Sequence, residues 1–155
     1  MRLATRTGTG WSVADFAAGD ASAMRADGDG VVHVSFRSPD FLAGRLMVGT
    51  QAPGEAVATE LAGEPDLLLG WTALVLDGAG TRHVAYAATP QLNNSTSKVR
   101  YATRAVGAAT WTFETVDTSS FGVRQTETKL VVDQAGDPHV FFTALEALYV
   151  VERCQ

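Results

Sequence analysis

All three histidines of this chain sit at one place in one recurring phrase, D-x-x-G-x-x-H-V-x-[FY]. The copies carry Asp27, Gly30 and His33, then Asp77, Gly80 and His83, then Asp133, Gly136 and His139, at intervals of 50 and 56 residues. Imidazoles and carboxylates together suggest metal binding or acid–base chemistry. A metal needs its donors at about 2.0–2.1 Å. Histidines that open equivalent strands of separate modules stand roughly 10 Å or more apart, given ~4.8 Å per strand step. The phrase therefore reads as structural: each Asp caps a tight hairpin, and each imidazole ties that hairpin to its neighbour. No metal and no cofactor is expected.

Other reactive groups are thin. Glycoside hydrolysis needs two carboxylates flanking one bond, and nothing in the spacing of Glu60, Glu64, Asp66, Glu114, Asp117 and Glu127 selects a pair. No Ser-His-Asp constellation stands out, because every histidine belongs to the repeat. Asp27-Gly28-Asp29-Gly30 resembles the start of a calcium loop but lacks the distal glutamate. Asn93-Asn94-Ser95-Thr96 holds two overlapping glycosylation sequons and reads as a polar loop. Cys154 is the single cysteine, so neither a disulfide nor a cysteine zinc cluster arises within the chain. Phe36, Tyr86 and Phe142 recur at one station, as do Trp11 and Trp111, and read as packing between modules. Trp71 is unrepeated, in a stretch the other copies lack, and is a candidate for ligand stacking, with core filling as the alternative.

Each module divides into four short runs that alternate apolar and polar residues, which is strand periodicity. Named A to D from the centre outward, the runs order as C-D, A-B-C-D, A-B-C-D and A-B-C. The boundaries fall at residues 1–21, 22–62, 71–117 and 128–155, with A strands at 22–27, 72–77 and 129–133. Four strands per repeat of about 40–50 residues is the blade of a β-propeller. The fold class is therefore all-β, with about three blades' worth of four-stranded sheet. Propellers close with about 4–8 blades. The chain is then either a piece of a longer propeller or a protomer, and a homodimer would complete a six-bladed ring, within about that range.

The net charge of −5 and the lack of any Lys/Arg cluster argue against a nucleic-acid partner. No apolar run is long enough to span a bilayer. The N-terminus lacks the apolar stretch of a signal peptide, so an extracellular location would require one in a longer parent chain.

The strings Val99-Arg100-Tyr101-Ala102-Thr103-Arg104, Trp111-Thr112-Phe113-Glu114-Thr115-Val116-Asp117 and Asp133 to Val140 resemble the repeats of bacterial sialidase-like propeller proteins. Sialidases carry an Asp-box, S-x-D-x-G-x-T-W, between strands C and D. Here Gly and Trp remain before Trp11 and Trp111, and the Asp is missing. The resemblance implies propeller architecture and carries over no catalytic residue.

Loop lengths locate the functional face. From each His to the next strand C the gap is 13, 16 and 9 residues, while the A–B turns are constant. In an up-and-down blade the B–C and D–A connections emerge together, and variable loops on a rigid scaffold are where binding residues collect. That face comprises 37–44, 88–97, 143–147 and the D–A loops 19–22, 63–70 and 118–128, with Arg37, Arg45, Trp71 and Arg124 as candidate ligand contacts. The favoured function is a non-catalytic module that recognises a glycan or a protein. A segment of a larger sialidase-like glycosidase or lyase, and a structural scaffold, are the alternatives.

Overall fold

The computed structural model describes residues 1–40, 44–62, 67–89, 98–117, 127–144 and 147–152. It is all-β, built of four antiparallel sheets in chain order. The first pairs β1 (Arg2–Thr7) with β2 (Gly10–Asp15). The second runs β3 (Asp20–Ala26), β4 (Val32–Arg37), β5 (Leu46–Gln51) and β6 (Ala58–Leu61). The third runs β7 (Leu67–Leu76), β8 (Arg82–Thr89), β9 (Lys98–Arg104) and β10 (Thr112–Asp117). The fourth holds β11 (Thr128–Val132), β12 (Pro138–Ala144) and β13 (Ala147–Glu152). No helix among the described residues is long and apolar enough to cross a membrane.

Each D-x-x-G phrase closes its hairpin in the same way. Asp27 Oδ1 accepts the N–H groups of Asp29 and Val31 at 3.0 and 2.9 Å, while Oδ2 faces His33 Nε2 at 3.0 Å. Asp77 repeats this with Ala79, Thr81 and His83 at 2.9, 2.8 and 3.2 Å. Asp133 does so with Ala135, Asp137 and His139 at 2.9, 2.9 and 3.2 Å. The turn glycines take φ of 81°, 80° and 92°, the left-handed region that a side chain disfavours. The imidazole thus clasps its own hairpin, not the neighbouring one: six residues along an antiparallel turn bring His back beside Asp.

A carboxylate only accepts, so Nε2 carries the proton in this clasp and Nδ1 is left as an acceptor. In the third sheet the Tyr101 hydroxyl fills that need, 2.5 Å from His83 Nδ1. Tyr101 pairs with Ala85, and the matching pair in the second sheet is Val48 with Ser35. Valine offers no hydroxyl, and His33 Nδ1 is accordingly buried without a partner.

The clasps set an acid limit on the fold. The hydrogen bond from His33 holds the Asp27 carboxyl below the ordinary aspartate value, and the Asp137 N–H followed by His139 does so for Asp133. At Asp77 burial pushes the other way but is outweighed by the bonds from His83 and Thr81. A carboxyl with a depressed folded-state pKa contributes stability that is complete above its unfolded value, about 3.9, and is lost as pH falls through the folded value. Urea midpoints are therefore expected to be flat with respect to these groups above that pH and to drop below it. Asp77→Ala strands two backbone N–H groups and a buried imidazole, and is expected to cost about 2–3 kcal/mol at neutral pH. Its acid-side drop, followed by circular dichroism, should be shallower than that of the parent chain.

The sheets stack face to face, with an aromatic from each second strand at every joint. Phe36 packs with Phe16 and Val34 between the first and second sheets. Tyr86 packs with Leu46, Val48 and Trp111 between the second and third. Phe142 packs with Val99, Tyr101 and Leu130 between the third and fourth. Gly49 stands where the next sheet has Ala102, because an added Cβ would lie 2.7 Å from the Phe16 ring. Trp111 is 8% exposed within its joint, but its counterpart Trp11 is 69% exposed. Trp11 is exposed because no described sheet covers the outer side of β1–β2.

Buried hydroxyls staple the same joints near the inner strands. Thr72 Oγ1 donates to the Ser35 carbonyl at 2.9 Å, and Ser35 Oγ donates to Thr72 Oγ1 at 2.8 Å. Thr128, at the matching station, has its hydroxyl 3.0 Å from the Trp71 carbonyl and 3.3 Å from that of Ala85. These bonds fix the inner strands β3, β7 and β11 beside one another.

Candidate functional site

The exposed sides of β3, β7 and β11 line a trough of about 850 Å³. Arg25 from β3, Trp71 and Thr72 from β7, Thr128 and Lys129 from β11 and Thr143 from β12 contribute to its walls. A trough of this size falls in the range of ligand pockets, about 300–1,000 Å³. The end where strands A begin and strands B finish, here called its mouth, is lined by Trp71, Glu127 and Thr143 and is the end predicted to bind.

Trp71 stands at that mouth. The expectation placed it in a loop before strand A, with the third module starting at residue 71. Strand β7 instead begins at Leu67, and the β7–β8 register shifts between Leu68 and Thr72. The extra residues are accommodated as an irregularity inside the strand, and such irregularities re-aim side chains. The indole is left 58% exposed, which overturns core filling. The Thr128 hydroxyl bond to its carbonyl holds the backbone that presents it. Beside the mouth, Glu127 and Lys129 form an ion pair at 2.6 Å.

The candidate arginines fare differently. Arg37 is committed to structure: its Nε and Nη2 grip the Asp20 carboxylate at 2.8 and 2.6 Å across the β3–β4 pair. A bidentate pair of this kind leaves little of the guanidinium for a ligand. The backbone of Arg45 closes the loop after β4, accepting from Ser38 N and donating to Ser38 Oγ. Arg124 lies outside the described residues, as do 41–43, 63–66, 90–97, 118–126 and 145–146 of the loop face.

Of the candidate acids, Glu60 is engaged between sheets. Its Oε1 accepts from the Arg104 guanidinium and, at 3.2 Å, from Trp111 Nε1. Burial works to raise its pKa, but these bonds and the charges of Arg104 and Arg82 hold it below the ordinary glutamate value. It is therefore unsuited to donate a proton near neutrality. Glu64 and Asp66 lie outside the described residues. Nothing in the spacing of Arg82 and Arg104 groups them with Glu60, which they meet across the joint.

No protein-family model matches the chain, and no curated protein matches it. Among solved structures the chain is similar to a fucose lectin from Kordia zhangzhouensis in complex with methyl-fucoside. The TM-score is 0.54 at 15% identity, and the match covers 83% of this chain and 96% of that one. That likeness supports the all-β, stacked-sheet architecture.

Proposed function

We propose that this chain is a non-catalytic glycan-recognition module built on a partial β-propeller, with Trp71 as its stacking platform. The observation that carries the reading is an indole more than half exposed at the rim of a walled trough, on a strand pinned from behind by Thr128. An indole offers a flat apolar face to the C–H face of a pyranose and an N–H to its hydroxyls. Thr143, Lys129 and Glu127 line the same trough and offer donors and acceptors of the kind that orient a sugar. The fold likeness to a fucose lectin points to the same ligand class, while kinship with sialidase-like repeats rests on the motifs alone.

The test is titration with a panel of monosaccharide methyl glycosides, methyl α-fucoside included, followed by tryptophan fluorescence and calorimetry. At least one glycoside is expected to bind without release of product. Trp71→Ala should weaken it about 30-fold, as loss of a tryptophan anchor does. The same change should leave stability within about 0.5 kcal/mol, because the ring is exposed. Unchanged affinity in Trp71→Ala would remove the trough mouth as the site.

A further inference from the structure

A second cavity, of about 280 Å³, opens between the second and third sheets, away from the trough, and its walls include Thr50, Thr59, Glu60, Arg82 and Arg104. We propose that this inter-sheet cleft is an oxyanion site, taking the carboxylate or sulfate of an acidic sugar against Arg82.

Arg82 holds unused donors. A guanidinium carries five N–H donors, yet this one makes no hydrogen bond among the described residues. Its nearest anion is Glu60 Oε1 at 3.8 Å, an oxygen already taken by Arg104 and Trp111. The side chain is nonetheless drawn in, at 25% exposed. Two cations share one lining carboxylate, so the lining carries a net +1 within a chain of net −5, with Asp27 acting on Arg82 from outside the lining. Burial, followed by the repulsion of Arg104, pulls the Arg82 pKa below its ordinary value. Half-buried charge with unused donors is costly unless a partner of opposite charge arrives.

The repeat shows that the fold does not require this arrangement. Arg82 pairs with Arg104 in the β8–β9 register, and the same pair in the second sheet is Val32 with Gln51. In the fourth sheet the residue before the clasp histidine is Pro138. Uncharged side chains thus serve at the Arg82 station in both neighbouring sheets. Glu60 does recur, as Glu114 opposite Tyr101. That joint holds a cavity of about 180 Å³ lined by Pro138, Val140 and Val151 in place of a cation. The charged version is confined to one joint, which is the distribution expected of a site and not of a structural staple.

The test uses the whole chain and reads arginine Nε–Hε and backbone resonances by NMR. The probes are methyl β-glucuronide, inorganic sulfate and, as the uncharged control, methyl β-glucoside. Glucuronide, sulfate or both are expected to shift the Arg82 signals, with an affinity that falls as ionic strength rises. The neutral glucoside at the same concentration should not. Binding of only one of the two anions supports the site and names which group it takes. Arg82→Val, which copies Val32, should keep the dispersed spectrum and weaken anion binding at least about tenfold. Arg82→Gln serves if the valine variant fails to fold. Trp71→Ala should leave this binding unchanged, which separates the cleft from the trough. Equal binding of glucoside and glucuronide, no response to either anion, or full binding by both Arg82 variants would overturn the proposal.

Discussion

Tyr86→Ala is expected to remove a large part of the chain's stability and to shift its unfolding midpoint sharply down. Tyr86 has no exposed surface and packs in the joint between the two four-stranded sheets, against residues of both. Truncating a large buried aromatic costs about 3–5 kcal/mol, from lost transfer energy and the cavity left behind. A domain of this size has about 5–15 kcal/mol in all. At the low end of that range, and with His33 Nδ1 already unsatisfied, the substitution removes most of what holds the stack together. Tyr86→Phe is the informative partner, because Phe36 and Phe142 occupy the same station in neighbouring sheets. It should cost under about 1.5 kcal/mol, since it keeps the ring and removes one buried hydroxyl. Urea unfolding followed by far-ultraviolet circular dichroism measures both. A Tyr86→Ala chain with an unchanged midpoint would mean that the sheets are not held by this joint.

What the sequence revealed about the fold was whatever the repeat states several times. The Asp and Gly of each hairpin, the histidine after it and the aromatic three residues on were legible because local chemistry decides them. The strand runs were legible by alternation, with ends that moved by a few residues. Three features were not. The start of β7 was missed because Leu67 to Trp71 has no counterpart to align with, so it read as loop. The Asp20 partner of Arg37 was hidden behind a register shift between Asp20 and Ala23, although an acid and a base flanking one predicted hairpin was a usable signal. The Glu60, Arg82 and Arg104 cluster was invisible because it forms across two sheets, at positions where the other repeats carry unrelated residues.

Self-association of the 155-residue polypeptide is the second large effect expected. The sheets form a linear stack, and the outward faces of its two end sheets are apolar. Trp11 and Val13 lie on one strand of the first sheet, exposed by 69% and 50%. Val131, Leu148 and Val150 share the outer side of the fourth, opposite the buried Leu130, Val140 and Phe142. Among the described residues β1 and β13 each pair on one side only, and open strand edges favour association. A second copy offers each face its complement, since a two-fold pairing would set the first sheet of one chain on the fourth sheet of the other. Four sheets from each copy would give that dimer eight sheets in all, in place of the six blades expected if β1–β2 of one copy and β11–β13 of the other shared one blade. Burying each large apolar side chain contributes about 1.5–3 kcal/mol. A Val131→Lys, Leu148→Lys double variant is therefore expected to weaken the dimer at least about 100-fold. Both positions are exposed within the single chain, so the variant should still fold. Sedimentation equilibrium at micromolar concentration should show a dimer for the parent and a monomer for the variant. A parent chain that sediments as a stable, cooperatively unfolding monomer would show that these faces remain in water, and that apolar exposure at the ends of the stack does not drive assembly.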